Sequence, residues 1–300
     1  MAILGTHRAF ELDDPRLQPL LVPRLPDTPE HARVRQFIVH HYETLGWHVE
    51  LDSFQDETPF GKKTITNVIV THNPKAKRRL VLSAHYESKY FKDFEFIGAT
   101  DSAVPCAIMM DIAQTLNPFL AKGKDHITLQ MVFFDAEEAF VEWTAEDSLY
   151  GSRHLAEKWE KTNQLDSIDV MVLFDLLGFR EAQITNYFQE TSILYHRLEM
   201  LASRLAKQDL LETHSTKEDG QSLGSFFNSS SFLAFKGHYL EDDHQPFSQR
   251  GVNILYIFGY PDPYHHTVQD NASIIDPSVV RNLAILFRCF VLEYLGTTIK

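Results

Sequence analysis

Cysteine is scarce in this 300-residue chain: only Cys106 and Cys289 occur, and neither has a partner at C-x-x-C spacing. That excludes a zinc ribbon and a thioredoxin-type redox motif. A chain of this length buries roughly three quarters of its unfolded surface, so it needs no disulfide scaffold. Basic residues are also in the minority, 28 against 41 acidic, for a net charge of −13. Nucleic acid and anionic membranes demand a basic face, so neither is an expected partner. Long apolar runs are missing as well: none approaches the roughly 20 residues that cross a bilayer. Met1–Arg8 lacks the apolar core of a secretory signal. With 44% apolar and 23% charged residues, the chain has the composition of a globular protein, expected to be a monomer.

There is no internal repeat and no linker-like shift in composition, so residues 1–300 are expected to form one catalytic domain. Residues 1–28, rich in proline and without periodicity, read as an extended arm laid on it. Val34, Phe37, Ile38, Tyr42 and Leu45 recur at helical spacing, and Gly46 stops that helix. Trp47 to Leu51 alternates as a half-buried strand, and Thr64 to Thr71 is β-branched enough to pair with it. Asn73-Pro74 and the basic run Lys75 to Arg79 read as a solvated turn. Four near-continuous apolar runs follow: Leu80–Leu82, Leu129–Phe134, Val170–Phe174 and Ile254–Phe258. Runs buried on both faces and separated by helical stretches are the mark of parallel strands. Helices are expected over Ala103–Leu116, Leu149–Lys158, Ile193–Lys207 and Pro277–Leu295. The fold class is therefore α/β, a mixed, centrally parallel sheet flanked by helices. The Glu212–Gln249 stretch, with Gly220, Gly224 and Gly237, reads as a long irregular loop of the kind that carries function.

Most of the fifteen histidines call for no functional reading. His85 and His266 differ, because each apolar strand run leads into a metal-ligand type. Leu80–Ala84 ends in His85, and Phe133-Phe134-Asp135-Ala136 ends in Glu137-Glu138. Val172–Phe174 ends in Asp175, and Ile257-Phe258 is followed by His265-His266. Sites in open α/β sheets lie at the carboxyl ends of the strands, so these groups should converge, joined by Asp101 from a helix start. One such residue would be structural more often than not; five of them together point to a metal. Imidazoles with carboxylates and no thiolate suit zinc rather than calcium. Adjacent Glu137 and Glu138 can divide the work, one binding metal while its neighbour stays free to move protons.

These pieces resemble the zinc-dependent aminopeptidase clan and, more closely, the animal-type glutaminyl-peptide cyclotransferases. The resemblance is carried by Leu80–Phe91, Gly98–Ala107, Val132–Leu155, Val172–Gly178, Glu241–Phe247 and His265-His266-Thr267, in order over about residues 20–296. The Val132–Leu155 block (VFFDAEEAFVEWTAEDSLYGSRHL) is the most specific of them. What the resemblance implies is an aminopeptidase-like fold with one zinc per chain held by Asp101, Glu138 and His266. Glu137 matches the proton-transferring glutamate, and Asp175 and Asp242 match two carboxylates of a hydrogen-bonded network. Trp143 matches a pocket tryptophan, and Glu241 and His265 complete the expected substrate contacts. The implied reaction is cyclisation of the N-terminal glutamine of peptides to pyroglutamate with loss of ammonia, N-terminal glutamate being a candidate second substrate.

Three departures stand out. Glu87 replaces the family's aspartate, and Ala84 replaces a cysteine that pairs with the one matching Cys106, leaving Cys106 a free buried thiol. His265 replaces a tryptophan beside the zinc histidine. The main alternative is a zinc aminopeptidase whose two-metal site uses His85, Asp101, Asp175, Glu138 and His266. A binding domain on a decayed scaffold is a second, against which stands the presence of Glu137 and every ligand. Secreted peptide substrates imply the secretory route with the signal removed, and Asn228-Ser229-Ser230 and Asn271-Ala272-Ser273 are glycosylation sequons.

Overall fold

The structure, a computed structural model, describes residues 11–120, 126–212, 227, 240–260 and 262–296. Its strands are β1 (His48–Thr58), β2 (Gly61–Thr71), β3 (Arg78–His85), β4 (Ile127–Phe134), β5 (Ile168–Asp175), β6 (Gln183–Ile184) and β7 (Ile254–Tyr260). They form one mixed sheet in the order β1-β2-β4-β3-β5-β7-β6. The hairpin of β1 and β2 and its junction with β4 are antiparallel, whereas β4, β3, β5 and β7 run parallel. The apolar runs read from sequence are these four parallel strands. Side chains alternate across them: Leu129, Met131 and Phe133 of β4 join one hydrophobic cluster, Val132 and Phe134 the other. Both faces are buried, so the sequence shows continuous hydrophobicity instead of alternation.

Helices cover both faces. α1 (Pro29–Thr44), α2 (Val104–Leu120), α4 (Ser192–Ala206) and α6 (Pro277–Leu295) share the larger cluster. α3 (Tyr150–Lys161) and the short α5 (Gln245–Ser248) share the smaller one through Leu155, Trp159 and Phe247. Local chemistry sets their ends. Thr28 caps α1 by accepting from the His31 amide, and Asp276 caps α6 by accepting from Ser278 and Val279, each ahead of a proline at the first helical position. Gly296, at φ 64°, ends α6. Among the described residues, no helix is long and apolar enough to cross a membrane.

Differences from the sequence reading have physical causes. β1 runs on to Thr58 through polar residues because it is an edge strand with a largely solvated face, which weakens its hydrophobic signal. Arg78 and Arg79 open β3 instead of lying in a turn, their charges met by Asp169 and Ser167. The long-loop expectation for Glu212–Gln249 lies largely outside the described residues, which show α5 within it.

The arm also departs from a simple extended segment. Gln18–Leu20 form a 3-10 turn, and Leu17, Leu20 and Arg24 are buried. Arg16 and the fully buried Arg288 of α6 both pair with Asp111 of α2, tying arm to helices. Among the described residues, the Arg24 guanidinium meets backbone carbonyls only: Leu20, Val22, Tyr86, Glu87, Ile97 and Gly98, at 2.5–3.2 Å. Four of these belong to the segments that deliver His85 and Asp101 to the sheet edge. Replacing Arg24 by Met strands these acceptors without donors, and the expected loss is on the order of 3 kcal/mol or more. Urea denaturation checks this, with Arg24→Lys recovering only part because one ammonium cannot span the planar fork.

Candidate metal and acyl-transfer site

His85 is the last residue of β3 and Asp175 the last of β5, Glu137-Glu138 follow β4, and His265-His266 follow β7. Because these strands run parallel, their carboxyl ends share one edge of the sheet. Asp101 enters from the irregular turn Ala99–Ala103 that leads into α2. The structure brings these residues together. His85 Nε2 lies 2.9 Å from Asp101 Oδ1 and 3.5 Å from Asp175 Oδ1. His266 Nε2 lies 2.7 Å from Glu138 Oε1 and 3.4 Å from Asp101 Oδ2. His265 Nε2 is 3.8 Å from that same Asp101 oxygen.

Glu87 builds the frame for the glutamate pair. Fully buried, it accepts from the amides of Glu137 (2.7 Å) and Glu138 (3.1 Å) and faces His85 Nδ1 at 3.4 Å. Glu138 is engaged at both oxygens, by His266 and by Lys89 Nζ at 2.8 Å. The Glu137 carboxyl makes no hydrogen bond among the described residues. Burial, followed by the neighbouring charge of Glu138, pushes its pKa well above the usual carboxylate range. Asp101 behaves oppositely. Burial alone would raise it, but hydrogen bonds with His266 and His85 hold it well below its ordinary value. His266 is correspondingly raised to about 10, the pull of Asp101 and Glu138 exceeding the opposing effect of burial.

A second acidic group lies beside the first. Asp175 accepts from Ser102 Oγ at 2.5 Å, and Asp242 accepts from Tyr256 Oη at 2.7 Å. Burial and then the charge of Asp175 push Asp242 up to about 8, and Asp243 is also raised. Glu241, next in line, accepts from Trp143 Nε1 at 2.7 Å, joining the loops after β4 and before α5. Trp143 remains 37% exposed.

Sequence reasoning missed Lys89, Ser102 and Tyr256. A lysine four residues past His85 was the one available signal; a serine and a tyrosine carry none until the fold sets them against Asp175 and Asp242. Cys106 is a buried free thiol, as expected without a cysteine at position 84, and Cys289 is one as well. Of the sequons, Asn228 lies outside the described residues. The Asn271 side chain bonds Val268 and Ser273 and caps a 3-10 turn.

The donor set suits zinc. Tetrahedral bonds of about 2.0–2.2 Å set neighbouring donors roughly 3.3–3.5 Å apart; His266 and Asp101 stand at 3.4 Å, while His266 and Glu138 are hydrogen-bonded directly at 2.7 Å. Asp101 Oδ2 is buried and, among the described residues, meets only the longer 3.4 Å and 3.8 Å approaches of His266 and His265, so its acceptor capacity is not filled by a well-formed hydrogen bond. Donor atoms of Asp101, His265 and His266 gather within 4.8 Å, as do those of His85, Asp101 and Asp175. Glu138 reaches the first group through His266.

Residues 67–291 match the model of peptidase family M28. The chain is 45% identical over 286 residues to a glutaminyl-peptide cyclotransferase of Drosophila melanogaster, covering 94% of this chain and 80% of the fly protein. It is 39% identical over 300 residues to a glutaminyl-peptide cyclotransferase of Bos taurus, covering 93% and 80%. The crystal structure of Macrostomum lignano glutaminyl cyclase superposes with a TM-score of 0.80 at 33% identity, over 99% of this chain and 98% of that one. A Zn-dependent exopeptidase from Parabacteroides distasonis shares the fold, with a TM-score of 0.70 at 21% identity over 93% and 94%.

Gly98 controls the approach of Asp101. It sits at φ 60°, and a Cβ there would lie 2.1 Å from the Asp101 carbonyl oxygen. Gly98→Ala is therefore expected to displace Asp101 and to weaken zinc binding by about tenfold or more in a chain that still folds. Equilibrium dialysis against zinc, alongside circular dichroism, measures both.

Proposed function

This chain belongs to peptidase family M28 and, within it, to the glutaminyl-peptide cyclotransferases, and we propose from that premise that it converts the N-terminal glutamine of peptides to pyroglutamate with release of ammonia. The observation that carries the chemistry is Glu137. It is buried, held in place through its amide by Glu87, free at its carboxyl, and adjacent to a glutamate whose oxygens are both engaged.

Asp101, Glu138 and His266 would hold zinc. A zinc ion bound there would supply Lewis-acid polarisation of the side-chain amide carbonyl of the substrate glutamine. Glu137 takes a proton from the substrate's own α-amine as the amine nitrogen attacks the amide carbon. A carbon–nitrogen bond closes the five-membered ring, and Glu137 returns the proton to the departing amide nitrogen, which leaves as ammonia. Because nucleophile and electrophile belong to one residue, the pocket accelerates the reaction chiefly by holding the side chain folded. Trp143, braced by Glu241, would offer a wall for that conformation, and His265 a further substrate contact. Asp175, Asp242 and Asp243 would stabilise the partial positive charge that develops on the attacking amine and on the leaving group. N-terminal glutamate is a candidate second substrate. The family's peptides are consistent with a secretory location, and the chain reads as a single monomeric catalytic unit, checkable by light scattering.

The aminopeptidase alternative draws on one observation: His85, Asp101 and Asp175 are gathered closely enough for a second ion. One zinc per chain is the expected stoichiometry, and two would favour that alternative. Ammonia release from a glutamine-initiated dipeptide amide is expected to vanish with a chelator and return with zinc. Free N-terminal amino acid without ammonia would refute the cyclase reading. Glu137→Gln is expected to lower kcat by about 10²–10⁴-fold while zinc content, measured by atomic absorption, stays at the wild-type level.

A further inference from the structure

His265 places a second imidazole, a metal-ligand type, directly beside His266. We propose that His265 is a fourth protein ligand to the zinc held by Asp101, Glu138 and His266, closing the site until substrate displaces it. This rests on the metal reading above and extends it to a residue assigned only to substrate contact.

The geometry is specific. Asp101 Oδ2 is buried and faces both imidazoles, with His266 Nε2 at 3.4 Å and His265 Nε2 at 3.8 Å, and among the described residues it has no closer donor. Donor atoms of Asp101, His265 and His266 all lie within 4.8 Å of one another. Consecutive residues in extended chain point to opposite sides. Here His266 adopts φ 58° in a turn closed by the Thr267 amide on the Tyr264 carbonyl, and the two rings lie side by side with centroids 3.7 Å apart. The turn thus presents two imidazoles to one carboxylate. Glu138 supplies a single oxygen, since Lys89 holds the other. Three donors leave the open fourth position of a catalytic zinc site, and His265 is the imidazole beside it. Its side chain is 44% exposed, so it can swing out as the substrate amide enters.

The consequence is tighter zinc binding with a ligand exchange built into substrate binding. The test uses the full chain, stripped with a chelator and reloaded with zinc or cobalt(II). His265→Ala and His265→Gln are each expected to weaken zinc binding by about tenfold or more in a chelator-competition titration. Their cobalt(II) visible spectra should differ from that of the wild type, and free imidazole should restore the wild-type spectrum to His265→Ala. Circular dichroism verifies that both variants fold. Wild-type zinc affinity and an unchanged cobalt spectrum in both variants overturn the proposal. Comparison with His266→Ala separates the two readings. If His266→Ala loses zinc while the His265 variants do not, this proposal alone fails. If the wild-type chain takes up no zinc, the metal reading fails with it.

Discussion

The structure is organised around a concentration of buried negative charge. Asp101, Glu137, Glu138, Asp242 and Asp243 are all nearly inaccessible and crowd one edge of the sheet, with Asp175 beside them. Carboxylates taken out of water need cations or donors, and a protein that gathers them must supply both. His85, His266 and Lys89 supply part of the compensation, and the amides of Glu137 and Glu138 are turned inward onto Glu87. The remaining imbalance shows in the raised pKa of Glu137, Asp242 and Asp243. A divalent ion held by the proposed ligands Asp101, Glu138 and His266 would offset that surplus and would couple metal binding to the stability of the sheet edge.

The fold meets this demand by division of labour. Four parallel strands buried on both faces give a rigid floor whose carboxyl ends align. Loops above them carry the reactive groups, and buried polar residues hold the loops. Arg24 and Glu87 are the clearest examples. Neither belongs to the proposed ligand set, yet the arginine gathers carbonyls of the segments bearing His85 and Asp101, and the glutamate fixes the turn bearing Glu137 and Glu138. A reactive group is only as well placed as the groups that orient it.

Much of this was legible in the residues. The four apolar runs became parallel strands because burial on both faces leaves a continuous hydrophobic signal, and α6 spans the same residues read from periodicity, Pro277–Leu295. His85, Asp101, Glu138, Asp175 and His266 stand at or just beyond strand ends or at a helix start, and the rule that parallel strands converge at their carboxyl ends brought them together on paper. β6 escaped because two residues carry no period, and the far half of β1 because an edge strand can be polar. The arm looked featureless because its order comes from tertiary contacts made by Arg16 and Arg24.

The sequence by itself determined the class of fold, the family, and which residue types meet at the site, since all three depend on pattern and order along the chain. Only the tertiary structure decided how those residues divide the work. That His85 meets Asp101 and Asp175, that Lys89 holds one oxygen of Glu138, and that His265 shares a carboxylate oxygen with His266 are facts of distance between segments far apart in sequence. Hydrogen bonds and ligand sets act over about 3 Å, and a spacing along the chain carries no such information until the sheet has folded.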